Sequence, residues 1–261
     1  MQLNDYFIKS DLAFELVNTK NRVSKMFGKI DVIDIDIDKN EGKIINKNAG
    51  RYIAINFNSD VMDEKRVEKV FYMKLLDIMR YVRIGRNDYG LIIGLGNSKS
   101  SPDSLGTFVI DGVLATNHLF EMGLLGKKVM RISTFKPGVY GITGLDTNRT
   151  IEGIINEVKP SFLIVIDSLV TKTYTRLNNT IQITDAGIEP GRYGCKISKE
   201  IYGIPVISIG IPTVLEIRDS KLLVTSNDID FILKKEGNII INGINKIIKN
   251  KYNIWHNMLY K

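Results

Sequence analysis

The sequence predicts an α/β fold: a mostly parallel sheet with helices on both faces and an antiparallel extension at the N-terminal end. Three observations predict it. Ile33, Ile35 and Ile37 alternate with Asp34, Asp36 and Asp38, the period-two pattern of a strand with one buried face. Farther along, short apolar segments alternate with stretches whose apolar residues recur every three or four positions, the rhythm of strands joined by crossover helices. Phe162-Leu163-Ile164-Val165-Ile166 is apolar throughout, as a strand covered on both faces must be.

The elements follow in order. Residues 31–38 form a first strand, and Ile53, Ile55 and Phe57 mark a second in the same sheet. Asp60 is positioned to cap a helix whose Val67, Val70, Phe71, Leu75, Ile78, Met79 and Val82 fall at helical spacings. Leu91-Ile92-Ile93 reads as a strand, 103–122 as a helix, 129–135 as a strand and 149–158 as a helix. Strands at 162–166, Ile181-Gln182-Ile183 and 206–211 complete the sheet. A last helix starts near Asp228 and runs to the C-terminus, with Gly237 and Gly243 as places where it could break. Nothing between these elements is rich enough in Pro, Gly or Ser to be a linker, so one domain is expected.

Composition narrows the function. Lys and Arg number 36 against 29 Asp and Glu, a net charge of +7, and much of the excess lies in Lys234, Lys235, Lys246, Lys249, Lys251 and Lys261. These lysines are spaced among Ile and Asn with no arginine cluster, zinc-finger spacing or aromatic ribonucleoprotein motif. They read as a solvated helix face, and no direct nucleic-acid partner is expected. The single cysteine, Cys195, rules out an intrachain disulfide. Met1-Gln2-Leu3-Asn4-Asp5 lacks the basic and apolar regions of a signal peptide, and no apolar run approaches the ~18 residues of a membrane helix. The expectation is a cytoplasmic protein with no membrane partner.

Several chemistries are set aside on spacing. A calcium loop starting at Asp34 or Asp36 would need Gly where Lys39 or Glu41 stands. There is no Gly-x-Ser-x-Gly elbow, His-Glu-x-x-His or Walker loop. Gly94 and Gly96 follow a strand, but Lys99 occupies the third-glycine position of a dinucleotide fingerprint. No metal and no cofactor are expected. Cys195 has only His118 and His256 as bases, neither near it in sequence.

Carboxylates remain. Ser101-Pro102-Asp103 reads as an N-cap, a first-turn proline and an acid, which places Asp103 at the positive end of a helix following a strand. Asp167 follows the apolar run 162–166, at the carboxyl end of a buried strand, where an unpaired charge is costly. Asp185 closes another strand in the same way. Two such acids in one cleft would repel, raising the pKa of one, and the pair could then share a water and hydrolyse an amide. Arg176 or Lys172, just beyond the Asp167 strand, could receive an acidic substrate side chain or form a surface ion pair.

These residues resemble a known family. Gly94-Leu95-Gly96-Asn97, Ser101-Pro102-Asp103-Ser104-Leu105-Gly106 and Asn117-His118-Leu119-Phe120 are similar to the first signature of the spore germination proteases, atypical aspartic endopeptidases of endospore-forming bacteria. The likeness continues through Pro137-Gly138-Val139-Tyr140-Gly141-Ile142-Thr143-Gly144, Val165-Ile166-Asp167-Ser168-Leu169, Asn178-Asn179-Thr180-Ile181-Gln182-Ile183-Thr184-Asp185-Ala186-Gly187-Ile188 and Gly203-Ile204-Pro205-Val206-Ile207-Ser208-Ile209-Gly210-Ile211-Pro212-Thr213-Val214.

The resemblance implies catalytic roles for Asp103 and Asp167, with Gly94, Gly96, Asn97, His118 and Asp185 supporting the site. It implies small acid-soluble spore proteins as substrates, cut after an acid and before an apolar residue followed by Ala, in the forespore or spore core. It also implies a homotetramer and a zymogen that removes its own N-terminal propeptide. Asp11-Leu12-Ala13 fits that cleavage pattern, so residues 1–11 are the expected propeptide, cut between Asp11 and Leu12, and 12–261 the peptidase domain. Alternatively Asp11 is simply a helix cap. Between the two acids, the helix terminus favours Asp103 as base and Asp167 as acid.

The chain departs from the family in lacking its usual continuation after Trp255-His256-Asn257, in Asn117 where Arg is usual, and in Glu189 where His is usual. The fold implied also resembles that of hydrogenase-maturation peptidases, in which Asp103, Asp167 and His118 would sense nickel. A third reading is a paralogue that binds spore proteins without cutting them; retention of both acids argues against it.

Overall fold

The computed structural model describes residues 10–17, 22–85, 87–124, 129–189, 196–217 and 222–249. Residues 1–9 of the expected propeptide, Cys195, His256 and the expected helical end beyond Lys249 lie outside the described residues.

In chain order the elements are β1 (Arg22–Phe27), β2 (Ile30–Ile37), α1 (Lys39–Ile45), β3 (Gly50–Asn56), α2 (Glu64–Tyr81), β4 (Tyr89–Gly94), α3 (Leu105–Gly112), α4 (Asn117–Glu121) and β5 (Arg131–Phe135). They continue with α5 (Tyr140–Thr143), α6 (Thr147–Val158), β6 (Phe162–Thr171), β7 (Thr180–Thr184), α7 (Lys199–Tyr202), β8 (Val206–Glu216), β9 (Leu223–Val224) and α8 (Ile229–Lys249). Eight strands line up as β1-β2-β3-β7-β8-β6-β4-β5, with β9 paired to the far end of β8.

The sheet has two halves. β8, β6, β4 and β5 are mutually parallel, the α/β core that the apolar runs predict. β1, β2, β3 and β7 extend it by antiparallel pairing, and β7 also meets β8 antiparallel. The N-terminal extension is therefore joined to the parallel half through β7, because residues 172–179 are too short to carry a crossover helix.

Side chains alternate across the sheet, and the two faces are covered differently. One face carries Ile53, Ile164, Ile166, Ile181, Ile183, Ile207 and Ile209 against α2, α3 and α8, the main core. The opposite face has two smaller clusters. Leu91, Ile93, Leu163 and Val165 pack under Ile151 of α6. Ile33, Ile35, Ala54 and Leu169 pack under Leu12, Ala13 and Phe14 of the N-terminal segment. The space between those two coverings is where the sheet is left open.

Several boundaries differ from the sequence expectation. Asp63, not Asp60, caps α2, accepting the Arg66 amide at 3.2 Å. The expected helix 103–122 is a 3-10 turn at Ser101–Asp103 followed by α3 and α4, interrupted because Val113 turns extended and Thr116 is tied to β5. Thr116 Oγ1 donates to Met130 O at 2.6 Å and accepts the Ile132 amide at 2.9 Å. Asn245 caps the broken end, donating to Gly112 O and accepting the Leu114 amide. β6 runs five residues beyond the apolar stretch, since β8 extends alongside it. α8 passes through both glycines unbroken. A Cβ on Gly237 would lie 2.6 Å from Phe108, and one on Gly243 would strike Phe71, so both glycines let the helix approach its neighbours.

Candidate active site

Three residues line up across the sheet on its open face. Asp167 of β6 is opposite Gly210 of β8, and Gly210 is opposite Gln182 of β7. The central position has no side chain, and a Cβ there would press on Leu169 from 2.5 Å. The result is a cleft of about 420 Å³ over Gly210, lined by Asp167 and Gln182, by Asp103 and Pro102, and by Asp11, Lys47 and Tyr52.

Asp103 reaches this cleft from the loop after β4. β4 ends level with Ile166, and the Leu95 amide donates to Ile166 O at 2.8 Å, so the chain leaves the sheet one residue short of Asp167. Gly94 lets the start of α3 close on β4, since a Cβ there would strike the Gly106 carbonyl. Gly96 takes φ +100°, and a Cβ would strike the Asp103 carbonyl. Asn97 then closes the loop, its amide donating to Asp103 O at 2.8 Å, while its side-chain Oδ1 accepts the Lys99 amide at 2.9 Å. The site thus uses the Asn97 backbone.

A second anchor comes from β8. The β6–β8 ladder shifts where Leu169 pairs with Pro212 and Val170 with Val214, leaving Thr213 as an extra, bulged residue. Thr213 Oγ1 donates to Pro102 O at 2.6 Å, and Thr225 Oγ1 donates to Thr213 O at 2.7 Å.

Burial raises the pKa of both acids. Asp167 is pushed well above the usual carboxylate range by desolvation first and by the charge of Asp103 second; the Ser168 amide, donating to Oδ1 at 2.9 Å, opposes this. Asp103 is raised by burial, partly offset by the Asn97 amide. The expected helix-terminus effect on Asp103 does not prevail, because Asp103 ends a 3-10 turn before α3 rather than sitting within its first turn. The two acids are still unequal: Asp167 is the deeper, and burial pushes it more strongly toward its protonated form. Such a pair has one member able to donate and one able to accept a proton.

Asp185 and His118 stand elsewhere. Asp185 follows β7 as expected, but its Oδ1 accepts the Arg51 amide at 2.7 Å and secures the start of β3, and it does not line the cleft. His118 is exposed on α4, beside β5 and away from the cleft lining, so the Asp103, Asp167 and His118 set required for nickel sensing is not assembled. Arg176 stacks on Phe14 at 5.2 Å instead of facing the cleft. Glu189, one of the departures from the family, does line the cleft and pairs with Lys196 at 3.4 Å. Gln182, Gly210 and Thr213 lie inside the stretches that resemble the family, yet the sequence assigns them no role; the available signal for Gln182 was a polar residue centred in the apolar strand Ile181-Gln182-Ile183.

Asp11 does not act as a helix cap. The turn Ala13–Glu15 follows Leu12 with no side-chain cap, and Leu12 and Ala13 are fully buried. Asp11 instead lines the cleft.

Among the described residues no helix is long and apolar enough to cross a membrane. Comparison with known proteins adds the family. A protease of Bacillus licheniformis named germination protease is 37% identical, the match covering 91% of this chain and 70% of that one. Those of Bacillus subtilis and Bacillus cereus are 35% and 38% identical over the same share of this chain and 70% and 72% of theirs. A solved structure, the NiFe hydrogenase maturation protease HycI of Thermococcus kodakarensis KOD1, aligns with 64% of this chain and 98% of that one. Its 17% identity and TM-score of 0.36 are too slight to carry an argument. The family model described as germination protease matches residues 9–250, which takes in every strand of the sheet together with Asp103 and Asp167, and the chain therefore belongs to the germination protease family of peptidases.

Proposed function

We propose that the cleft is the active site of an aspartic-type endopeptidase that starts the breakdown of small acid-soluble spore proteins in germinating spores. It cuts after an acidic residue and before an apolar residue followed by Ala. The observation that carries this reading is the convergence of Asp103 and Asp167 on one cleft, with Asp167 buried and its pKa raised partly by the charge of Asp103. Asp167, protonated, donates to the scissile carbonyl; Asp103, ionised, takes a proton from the attacking water. The pair titrates as a unit, so the pH profile belongs to both.

The chain is made as a zymogen and processes itself between Asp11 and Leu12, working as a homotetramer in the spore core. Placement of Asp11 in the cleft lining supports the processing site.

The test is incubation of wild type, Asp103→Asn and Asp167→Asn with a peptide containing Glu-Ile-Ala-Ser-Glu, with products read by mass spectrometry. Wild type cuts between Glu and Ile, and both variants are inactive. Full activity in either variant ends the pair mechanism. An intact peptide with wild type across a broad pH range favours the non-cutting, spore-protein-binding reading.

A further inference from the structure

β7 is buried from end to end, so a long carboxamide at its centre requires partners. Gln182 finds them in the N-terminal segment. Its Nε2 donates to the Asp11 carbonyl oxygen at 3.1 Å, and its Oε1 accepts the Ala13 amide at 3.1 Å. One side chain thus grips the backbone on either side of Leu12.

The same segment is held from β6. The Asp11 amide donates to Val170 O at 2.8 Å, and the Asp11 carboxylate accepts the Val170 amide at 2.8 Å, with Lys47 Nζ 3.7 Å away. Leu12 is fully buried in the apolar cluster with Ile33, Ala54 and Leu169, and Ala13 is fully buried beside it. The acid is held by the Val170 amide, while the apolar residue and the alanine share one apolar cluster whose Leu169 reaches the cleft that carries Asp103 and Asp167. The register explains why Gln182 can serve that cleft: it shares a face and a row with Asp167, with only the bare Gly210 between them.

We propose that residues 11–13, with Asp11 in the cleft lining and Leu12 and Ala13 buried at its edge, are a substrate segment in cis, and that Gln182 is a second donor, beside Asp167, that holds and polarises the Asp11 carbonyl when the Asp11–Leu12 bond is cut. This rests on the reading above, in which the aspartate pair cuts that bond. The oxygen of water forms a bond to the Asp11 carbonyl carbon as one of its protons passes to Asp103. The carbonyl electron pair moves onto the oxygen that accepts Gln182 Nε2. Collapse of the tetrahedral centre breaks the C–N bond, and the Leu12 nitrogen takes up a proton from the acid pair, leaving a carboxyl group on Asp11. A donor already aimed at the oxygen that gains charge needs no rearrangement during the reaction, which is what makes such groups effective.

The test follows self-processing of the full chain by the appearance of a Leu12 N-terminus, with Asp167→Asn as the marker for the acid chemistry. Gln182→Leu, which has neither donor nor acceptor, slows the first-order rate on the order of 100-fold. Gln182→Glu keeps the acceptor for Ala13 and is slow at neutral pH, but its rate relative to wild type recovers as pH falls and its carboxyl regains a proton to donate. A role confined to accepting the Ala13 amide would leave that ratio flat with pH, because a carboxylate keeps that acceptor.

Wild-type rates in Gln182→Leu, or in Gln182→Glu at neutral pH, overturn the inference, and so does a flat ratio. Undiminished processing in Asp167→Asn overturns the aspartate reading and leaves the role of Gln182 to be judged by its own variants. Absence of a Leu12 end from wild type overturns both.

Discussion

Thr213 donates its hydroxyl to the carbonyl of Pro102, the residue before Asp103, at 2.6 Å, and so fastens the turn that carries one acid to the strand that borders the other. Thr213→Val keeps the shape and removes this bond. The expected cost in stability is about 1 kcal/mol. The expected loss in peptide cleavage is larger, roughly tenfold or more, because a small displacement of a reacting group is expensive. Urea melts beside kcat measurements check this; a cleavage rate equal to wild type would show that the turn holds Asp103 without Thr213.

Gly210→Ala tests the open floor of the cleft. The added methyl meets Leu169 side-chain carbons at 2.5–2.8 Å in a buried strand, and overpacking of this kind costs about 1–3 kcal/mol. Relief requires movement of Leu169, two residues from Asp167, so activity falls together with the melting temperature. Unchanged values of both would mean that the space between Asp167 and Gln182 is not tightly defined.

Glu236 gives a pH prediction. It is fully buried on α8, accepts the Ser59 hydroxyl at 2.9 Å on Oε1, and has no partner on Oε2. Burial drives its pKa well above the usual glutamate value, against the opposing effects of Ser59 and Lys235. The folded state therefore binds more protons than the unfolded state between the ordinary glutamate pKa and the raised folded one. Its contribution to stability is present below that window and is lost as pH rises through it. Glu236→Gln flattens this part of the profile. Urea midpoints from pH 4 to 8 check the sign: a decline as steep in the variant as in wild type would exclude Glu236 as its source.

Two helix glycines should respond in opposite directions. Ala is favoured over Gly in a helix interior by about 1 kcal/mol. At Gly153 in α6 nothing lies within 4 Å of the added methyl, so Gly153→Ala raises stability by up to that amount. At Gly243 the methyl strikes the fully buried Phe71, and overpacking of about 1–3 kcal/mol outweighs the helix preference. Thermal melts of the two variants moving in the same direction would contradict the packing seen between α8 and α2.

What could be read from the sequence follows from how locally each feature is determined. β2 and the first half of β6 were legible because their patterns are set by burial alone. The second half of β6 was not, since Asp167, which faces the cleft, and Ser168, on the opposite face beside Ile211, break the apolar run that marked the strand. The interruption between α3 and α4 depends on Thr116 binding β5 and on Asn245 arriving from α8, more than a hundred residues later. Asp103 and Asp167 stood out because acids after apolar strands need explaining. Gln182 and Gly210 did not, because their meaning lies in cross-strand register. His118 illustrates the converse: the motif around it was recognisable, yet α4 carries it to the exposed edge beside β5.

The row from Asp167 through Gly210 to Gln182 crosses the seam between the parallel and antiparallel halves of the sheet. A growing chain completed through β6 already contains both acids, but β8, the strand that separates Asp167 from Gln182, is added only with residues 206–216. Pairings between strands so distant in sequence are slow to form, since the intervening chain must be closed first. Under the proposed function the order of synthesis is a safeguard: a nascent or half-folded chain holds Asp103 and Asp167 but has no assembled cleft in which to use them.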